Sequence, residues 1–239
     1  ATVDGSVLVT YSADSHTLYG ALTSSPAADW PKGSMRSIVE WDTNKPLGEI
    51  EQVEHTYAVI GNMNEHQLTV VESTWGGRPE LVDTTGIIDY GSLMQLALER
   101  AKTAREAIKV MTGLVKKYGY YSSGESFTIA DPNEAWILDL IGKGPGRRGA
   151  VWVAVRIPDD CIAGHANYPR IHKIPMDDKE NCLYSPDVIS FAREMGYFDG
   201  LNKDFSFARA YSPADFGALR ACDARVWSFF RKYDSTMDN

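Results

Sequence analysis

The strongest constraint in the sequence is a sustained helical period between residues 89 and 118. Apolar residues recur at Leu93, Leu96, Ala97, Ala101, Ala104, Ile108, Met111 and Leu114, three or four apart, which places them on one helical face. Gly91-Ser92 reads as the start, Thr103 as the N-cap of a second segment, and Gly119 as the residue that stops it. The pattern therefore predicts two consecutive helices with a break near Lys102-Thr103. A one-sided apolar stripe of this length needs another layer to cover it.

The flanking sequence supplies that layer. Residues 6–11 follow an Asp4-Gly5 turn signal and read as a strand, as do residues 37–41. Residues 20–35, with Pro26, Pro31 and several small polar residues, read as a surface excursion. Residues 49–60 alternate polar and apolar and pair, as a hairpin across Gly61-Asn62-Met63-Asn64, with residues 67–74. Beyond the helices, strands are expected at 126–130, 135–141, 150–157 and 161–165, with the glycine-rich segment 142–149 as a hairpin loop. A strand follows that segment where a phosphate-binding loop requires a helix, so the phosphate reading is rejected. Helices return at 187–195, opened by Ser185-Pro186 as N-cap and N1, and at 218–232. Strands, helices, strands and helices in separate runs indicate an α+β layered domain.

Composition narrows the chemistry. With 32 acidic against 24 basic residues the formal charge is −8, which disfavours binding to a phosphate backbone, so no nucleic-acid partner is expected. No apolar run reaches the roughly 18 residues that span a bilayer. Cys161, Cys182 and Cys222 lack CxxC spacing, their number is odd, and each reads as a small core residue. The five histidines, at 16, 55, 66, 165 and 172, show no close ligand spacing, so no metal or cofactor is expected. Asn64-Glu65-His66 is the densest polar cluster and reads as a solvated hairpin shoulder. Gly119 to Gly124 is not a nucleophile elbow, and none of the cysteines carries a local catalytic signature. Nothing between the two ends supplies a convincing nucleophile.

Several phrases, in order, resemble the PepD-type cysteine dipeptidases, a family of N-terminal-nucleophile (Ntn) hydrolases. They are ATVDGSVLVTYSADSH (1–16), GNMNEHQL (61–68), ELVDTTGIIDYGSLMQLALERAKTAREAI (80–108), YGYYSSGESFTIADPNEAWIL (118–138), HANYPRI (165–171), NCLYSPDVISFA (181–192) and ALRACDARVWSFF (218–230). The resemblance implies a four-layer αββα sandwich, of which residues 1–239 would be the N-terminal half, truncated at both ends. It also implies a cysteine nucleophile exposed at the mature N-terminus, about nine residues before Ala1, with its own α-amine as general base. Such an amine titrates near 8 and can take a thiol proton at neutral pH. Without that cysteine the 239 residues are expected to be inactive alone.

The resemblance assigns site roles residue by residue. Asp14 falls where related hydrolases place an Asp beside the nucleophile's amine; its alternative is a turn residue. Thr74 matches an oxyanion-hole position, and Asn64 brackets the same hairpin strand near the site floor; an ordinary strand threonine is the alternative for Thr74. Asn167 is a candidate pocket amide or a loop cap. Arg225, on a helix with Val226, Trp227 and Phe230 turned inward, reads as a buried arginine that meets a substrate carboxylate or a structural acid. Tyr11 stands where many members carry Arg. Asp131-Pro132 is a family marker, but a hairpin turn explains it fully.

The expected function is hydrolysis of small peptides, dipeptides foremost, through a thioester acyl-enzyme. An amidase or acylase acting on a non-peptide amide (penicillin V or a bile-salt conjugate) is the nearest alternative. A non-catalytic binding protein on the same scaffold is the other. A homo-oligomer is compatible with the sequence, whose oligomeric state is not legible. The first segment resembles exported members more than cytoplasmic ones, which points to a periplasmic or secreted protein.

Overall fold

The helical stripe forms α1 (Tyr90–Arg100) and α2 (Ala104–Tyr118), with the break where the capping residues put it. Thr103 accepts from the Glu106 N–H, an N-cap bond worth about 1 kcal/mol. Gly119 closes α2 at φ +81°, a conformation that costs a Cβ-bearing residue more, and its Cα side meets Gly86 so closely that a Cβ would lie 2.8 Å from the Gly86 Cα. Asp89, rather than Gly91-Ser92, caps α1: one carboxylate oxygen accepts from Ser92 N and the other from Trp41 N. The structure is a computed structural model that describes residues 2–14, 20–234 and 236–237.

The stripe packs on a large antiparallel sheet. In spatial order its strands are β1 (Ser24–Ser25), β6 (Val59–Ile60), β7 (Met63–Asn64), β8 (Thr69–Gly76), β9 (Gly124–Ala130), β10 (Ala135–Gly142), β11 (Ala150–Arg156) and β12 (Cys182–Tyr184). Two small ribbons flank it, one joining β2 (Ala28–Asp29) to β5 (His55–Thr56), the other joining β3 (Met35–Val39) to β4 (Pro46–Glu51). Alternation assigns the faces. Val70 on β8, Phe127 and Ile129 on β9, and Trp136, Leu138 and Leu140 on β10 meet Leu96, Ile108 and Met111 of the helices in one core. Each fully buried aliphatic side chain there contributes about 2 kcal/mol. Ile137, Ile141, Val151 and Val153 face the other way, towards α3 (Val188–Glu194) and α4 (Phe207–Tyr211). The mixed α+β class and the antiparallel sheet agree with the sequence pattern.

Several expectations need correction. Residues 6–11 follow the anticipated turn, with Gly5 at φ +84°, yet form no strand, because no described backbone lies alongside to complete a ladder. Residues 161–165 are a loop: β12, which the sequence pattern missed, occupies the edge of β11 through Val153↔Tyr184 and Val155↔Cys182. The partner of 67–74 is not simply 49–60, since β7 intervenes and β8 pairs with β9 on its other side. Asp187 precedes α3 in place of the expected Ser185-Pro186 cap, because the Ser185 hydroxyl accepts from Trp152 N instead. The short α4 was not anticipated, and residues 218–232 divide into a π-helical Ala218–Asp223 and α5 (Ala224–Arg231). Only Cys182 is a core residue; Cys161 is exposed on the loop that replaced its strand, and Cys222 is half-buried.

Candidate active site

Four of the five residues singled out from sequence meet at one end of the sheet. Asn167, on the loop after β11, holds φ +49° and grips the end of β8 with two bonds: its N–H donates to Ser73 Oγ at 2.7 Å and its side-chain amide to the Thr74 carbonyl at 2.6 Å. The Arg225 guanidinium donates to Asn167 Oδ1 at 2.7 Å and lies 3.9 Å from the Asp14 carboxylate. So Asp14, Arg225, Asn167 and Thr74 form a continuous polar line, drawn from the first segment, α5, a loop and β8. The Asp14 side chain is 88% exposed, so its ion pair contributes well under 1 kcal/mol; it is available rather than structural.

The loop bearing Asn167 is fixed from beneath. Asp139, fully buried on β10, accepts from Arg170 N at 2.9 Å, Ile171 N at 2.8 Å and Ser126 Oγ at 2.5 Å. Burial raises its carboxyl to about 6, partly opposed by those three bonds. Arg170 then pairs with Asp223 at 2.8 Å, at the turn where the π-helical segment gives way to α5. The same anchor thus places the loop that carries Asn167 and the helix that carries Arg225. His165 stacks its hydrogen bonding on Thr128 Oγ1 at 2.7 Å, and desolvation pushes its ring down to about 4, so it is neutral at physiological pH.

On the other face of the same strands sits an acid pair that sequence reasoning missed. Thr74 Oγ1 donates to Glu125 Oε2 at 3.1 Å, which commits the hydroxyl expected to serve an oxyanion. Glu125 is 0% exposed and lies against Glu72, which accepts from the Tyr11 hydroxyl at 2.6 Å. Burial, then the Glu72 carboxyl, hold Glu125 well above the carboxylate range, and the Tyr11 hydroxyl is raised by burial and by Glu72. The available signal was local: Glu72 and Glu125 occupy strand positions in phase with the buried Val70 and Phe127.

Asn64 and part of the Arg225 expectation depart from the structure, whereas the Asp131 turn agrees with it. Asn64 lies at the far end of β8, where its neighbour Met63 pairs with Thr69, and its side chain is spent on backbone. Its amide donates to Leu98 O and Ala101 O at 2.8 and 2.7 Å, and its oxygen accepts from His66 N and Leu68 N, so it is a buried clasp on the end of α1 rather than a solvated shoulder or a site amide. Arg225 is half-exposed, and of its neighbours Val226 is buried whereas Trp227 is 40% exposed, so the helix turns only part of the expected face inward. Asp131 closes the β9–β10 turn by accepting from Asn133 N and Glu134 N, and its other oxygen takes Ala104 N at the start of α2.

Among the described residues no three His, Cys, Asp or Glu side chains are grouped to hold a metal, and no described helix is long and apolar enough to cross a membrane. Local desolvation and Asp160 raise the Cys161 thiol, and burial pushes Cys182 up to about 11, so both are mainly protonated and weakly nucleophilic at neutral pH. What the cluster offers is a cation, a side-chain amide and an accessible carboxylate at one end of the sheet, a set suited to orienting an amide and stabilising charge on its oxygen.

The model of a family described as Peptidase family C69 matches residues 1–239. A "Probable dipeptidase" of Salmonella dublin is 29% identical over 218 residues, 87% of this chain and 46% of the relative. A "Probable dipeptidase" of Latilactobacillus sakei is 35% identical over 100 residues, 42% of this chain and 20% of the relative. A "Probable dipeptidase B" of Streptococcus pyogenes serotype M1 is 28% identical over 122 residues, 51% of this chain and 23% of the relative. The chain thus spans about half the length, or less, of the curated relatives that it matches.

Proposed function

Because the chain belongs to peptidase family C69, we propose that it builds one wall of the active site of an enzyme that hydrolyses small peptides, dipeptides foremost. The observation that carries this reading is the Asp14–Arg225–Asn167–Thr74 line, four residues scattered over the whole sequence that converge at one sheet end.

Acyl transfer gives Asp14, Arg225 and Asn167 tasks, and the Thr74 carbonyl anchors Asn167. The resemblance to the cysteine dipeptidases implies an attacking thiol on an N-terminal cysteine outside these 239 residues, and the raised thiols of Cys161 and Cys182 suit them poorly to that task. The α-amine of that N-terminal cysteine takes the thiol proton, and Asp14, exposed at the end of the first segment, orients that amine and favours its cationic form once the proton has moved. Arg225 supplies positive charge at the oxyanion or at a substrate carboxylate; its guanidinium is fixed by Asn167. Asn167 uses one amide hydrogen on the Thr74 carbonyl, which leaves the other for the substrate. Collapse of the tetrahedral species expels the amine product, and water then hydrolyses the thioester. We place this chemistry on a four-layer αββα scaffold, to which the large antiparallel sheet and its covering α1 and α2 would contribute two layers.

Assay of the complete gene product on a dipeptide panel, penicillin V and glycine-conjugated bile salts tests the reading. Cleavage of dipeptides at rates at least tenfold above the other two supports it. Cleavage of only the non-peptide amides assigns the site to the acylase alternative.

A further inference from the structure

Residues 2–14 belong to no sheet, and few bonds hold them. The turn at their start closes on itself, with Thr2 N–H donating to Ser6 O at 2.8 Å and Gly5 N–H to Thr2 O at 2.9 Å. Val3 and Leu8 are exposed. Among the described residues, no backbone hydrogen bond joins residues 7–14 to the rest of the fold. Two side chains do reach across. The Tyr11 hydroxyl donates to Glu72 Oε1 at 2.6 Å, and the Asp14 carboxylate stands 3.9 Å from the Arg225 guanidinium.

The two contacts differ in what they can hold. An exposed ion pair at 3.9 Å fixes little, so Asp14 does not secure its own place. The Tyr11 bond is short and ends on a half-buried side chain of a paired strand. Burial and Glu72 keep the hydroxyl protonated, so it stays a donor through the neutral range. Glu72 directly precedes Ser73 and Thr74, the residues that Asn167 grips. Side chains of Glu72 and Ser73 point to opposite faces of β8, so Tyr11 holds the strand end from one face and Asn167 from the other. Asp14 follows Tyr11 by three residues. With Tyr11 seated, its Cα can stray no more than about 10 Å from that anchor.

We infer that Tyr11 is a positioning residue: its bond to Glu72 seats the first segment on β8 and thereby keeps Asp14 at the Arg225–Asn167 corner. The inference rests on the peptidase reading for what Asp14 does there. Tyr11 itself touches no reacting group and acts through Asp14.

The test uses the complete gene product with alanyl-alanine as substrate. Tyr11→Phe keeps the ring and removes the hydroxyl. Its kcat is expected to fall about 10-fold, with KM within about twofold and the melting temperature unchanged. Glu72→Gln still offers a carbonyl oxygen to the hydroxyl and should keep kcat within about threefold of the parent. Adding Tyr11→Phe to Asp14→Asn should cost nothing further, because the two residues act as a unit. Chymotryptic cutting after Leu8, followed by mass, should quicken at least fivefold in Tyr11→Phe and stay at the parent rate in Glu72→Gln. A Tyr11→Phe enzyme with kcat within twofold of the parent overturns the inference. So does a double variant in which the two losses multiply. Should the parent leave alanyl-alanine uncut, the peptidase reading falls, and the cutting rate alone decides the seating: faster cutting in Tyr11→Phe supports it, and an unchanged rate overturns it.

Discussion

Arg225 donates to Asn167 Oδ1 at 2.7 Å across 58 residues of sequence, and that single bond joins α5 to the end of β8. Asn167 is the hinge of the arrangement because it also occupies left-handed backbone space at φ +49°, which Asn tolerates better than most residues.

Asn167 can therefore be separated into a backbone and a side-chain role. Asn167→Gly keeps the backbone conformation and is expected to hold the melting temperature within about 3 °C while activity on dipeptides drops on the order of 10-fold or more. Asn167→Ala adds backbone strain of about 1 kcal/mol to the same activity loss. Thermal melts beside steady-state kinetics check this; equal activity in Asn167→Gly and the parent contradicts the side-chain role.

Asp139 predicts a pH dependence of stability. Its carboxyl sits at about 6 in the fold against an ordinary value of about 3.8, so the native state binds the extra proton between those values. Its contribution is complete below pH 3.8 and is lost as pH rises through about 6, an effect of about 3 kcal/mol. Asp139→Asn can still accept from Arg170 N and Ile171 N with its oxygen and donate to Ser126 Oγ with its amide. Urea titrations from pH 4 to 7 should show the parent losing stability relative to Asp139→Asn by roughly that amount. A constant difference across the range contradicts the assignment. Asp139→Ala, which leaves two N–H groups without a partner, is expected to destabilise by about 2–4 kcal/mol.

Asn64 is expected to behave as a structural clasp. Four hydrogen bonds to backbone groups, two of them to carbonyls of the α1 end, are lost in Asn64→Ala, at a cost of about 2–4 kcal/mol. Where the variant remains folded, kcat should stay within about twofold. A fall in kcat at unchanged stability would return Asn64 to the site.

These contrasts show what the sequence made legible. Thr103 and Gly119 announce the ends of α2 through bonds made within four residues, so the helix pair could be read locally. The strand at 161–165 could not, because its place beside β11 goes to Cys182–Tyr184, a competition settled twenty residues away. Residues 6–11 have strand composition but no described neighbour to pair with, and composition alone does not make a ladder. Asn64 was visible as a polar cluster, yet its partners Leu98 and Ala101 lie 34 and 37 residues on, so its purpose was hidden. Asp14, Thr74, Asn167 and Arg225 came from family resemblance, which encodes long-range contacts that periodicity does not. Glu72 and Glu125 carried only the weak signal of acids in phase with buried strand residues.

The thiol chemistry makes a prediction of its own. If the attacking thiol lies outside them, the 239 residues by themselves are expected to show no dipeptide hydrolysis, and the raised thiols of Cys161 and Cys182 fit that expectation. In the complete gene product, replacing Cys161, Cys182 or Cys222 singly by Ala should change kcat by less than about threefold. Loss of more than about tenfold in any one of them would put the nucleophile inside the chain.

The most direct measurement is kcat/KM of Arg225→Ala on a dipeptide in the complete gene product, read beside its melting temperature. Arg225 is half-exposed and its pairing with Asp14 is long, so stability should move by less than about 1 kcal/mol. Loss of the charge that steadies the oxyanion or the substrate carboxylate should lower kcat/KM by about 100-fold. Retention of kcat/KM within twofold of the parent would contradict the claim that this corner of the sheet is where peptide bonds are cut.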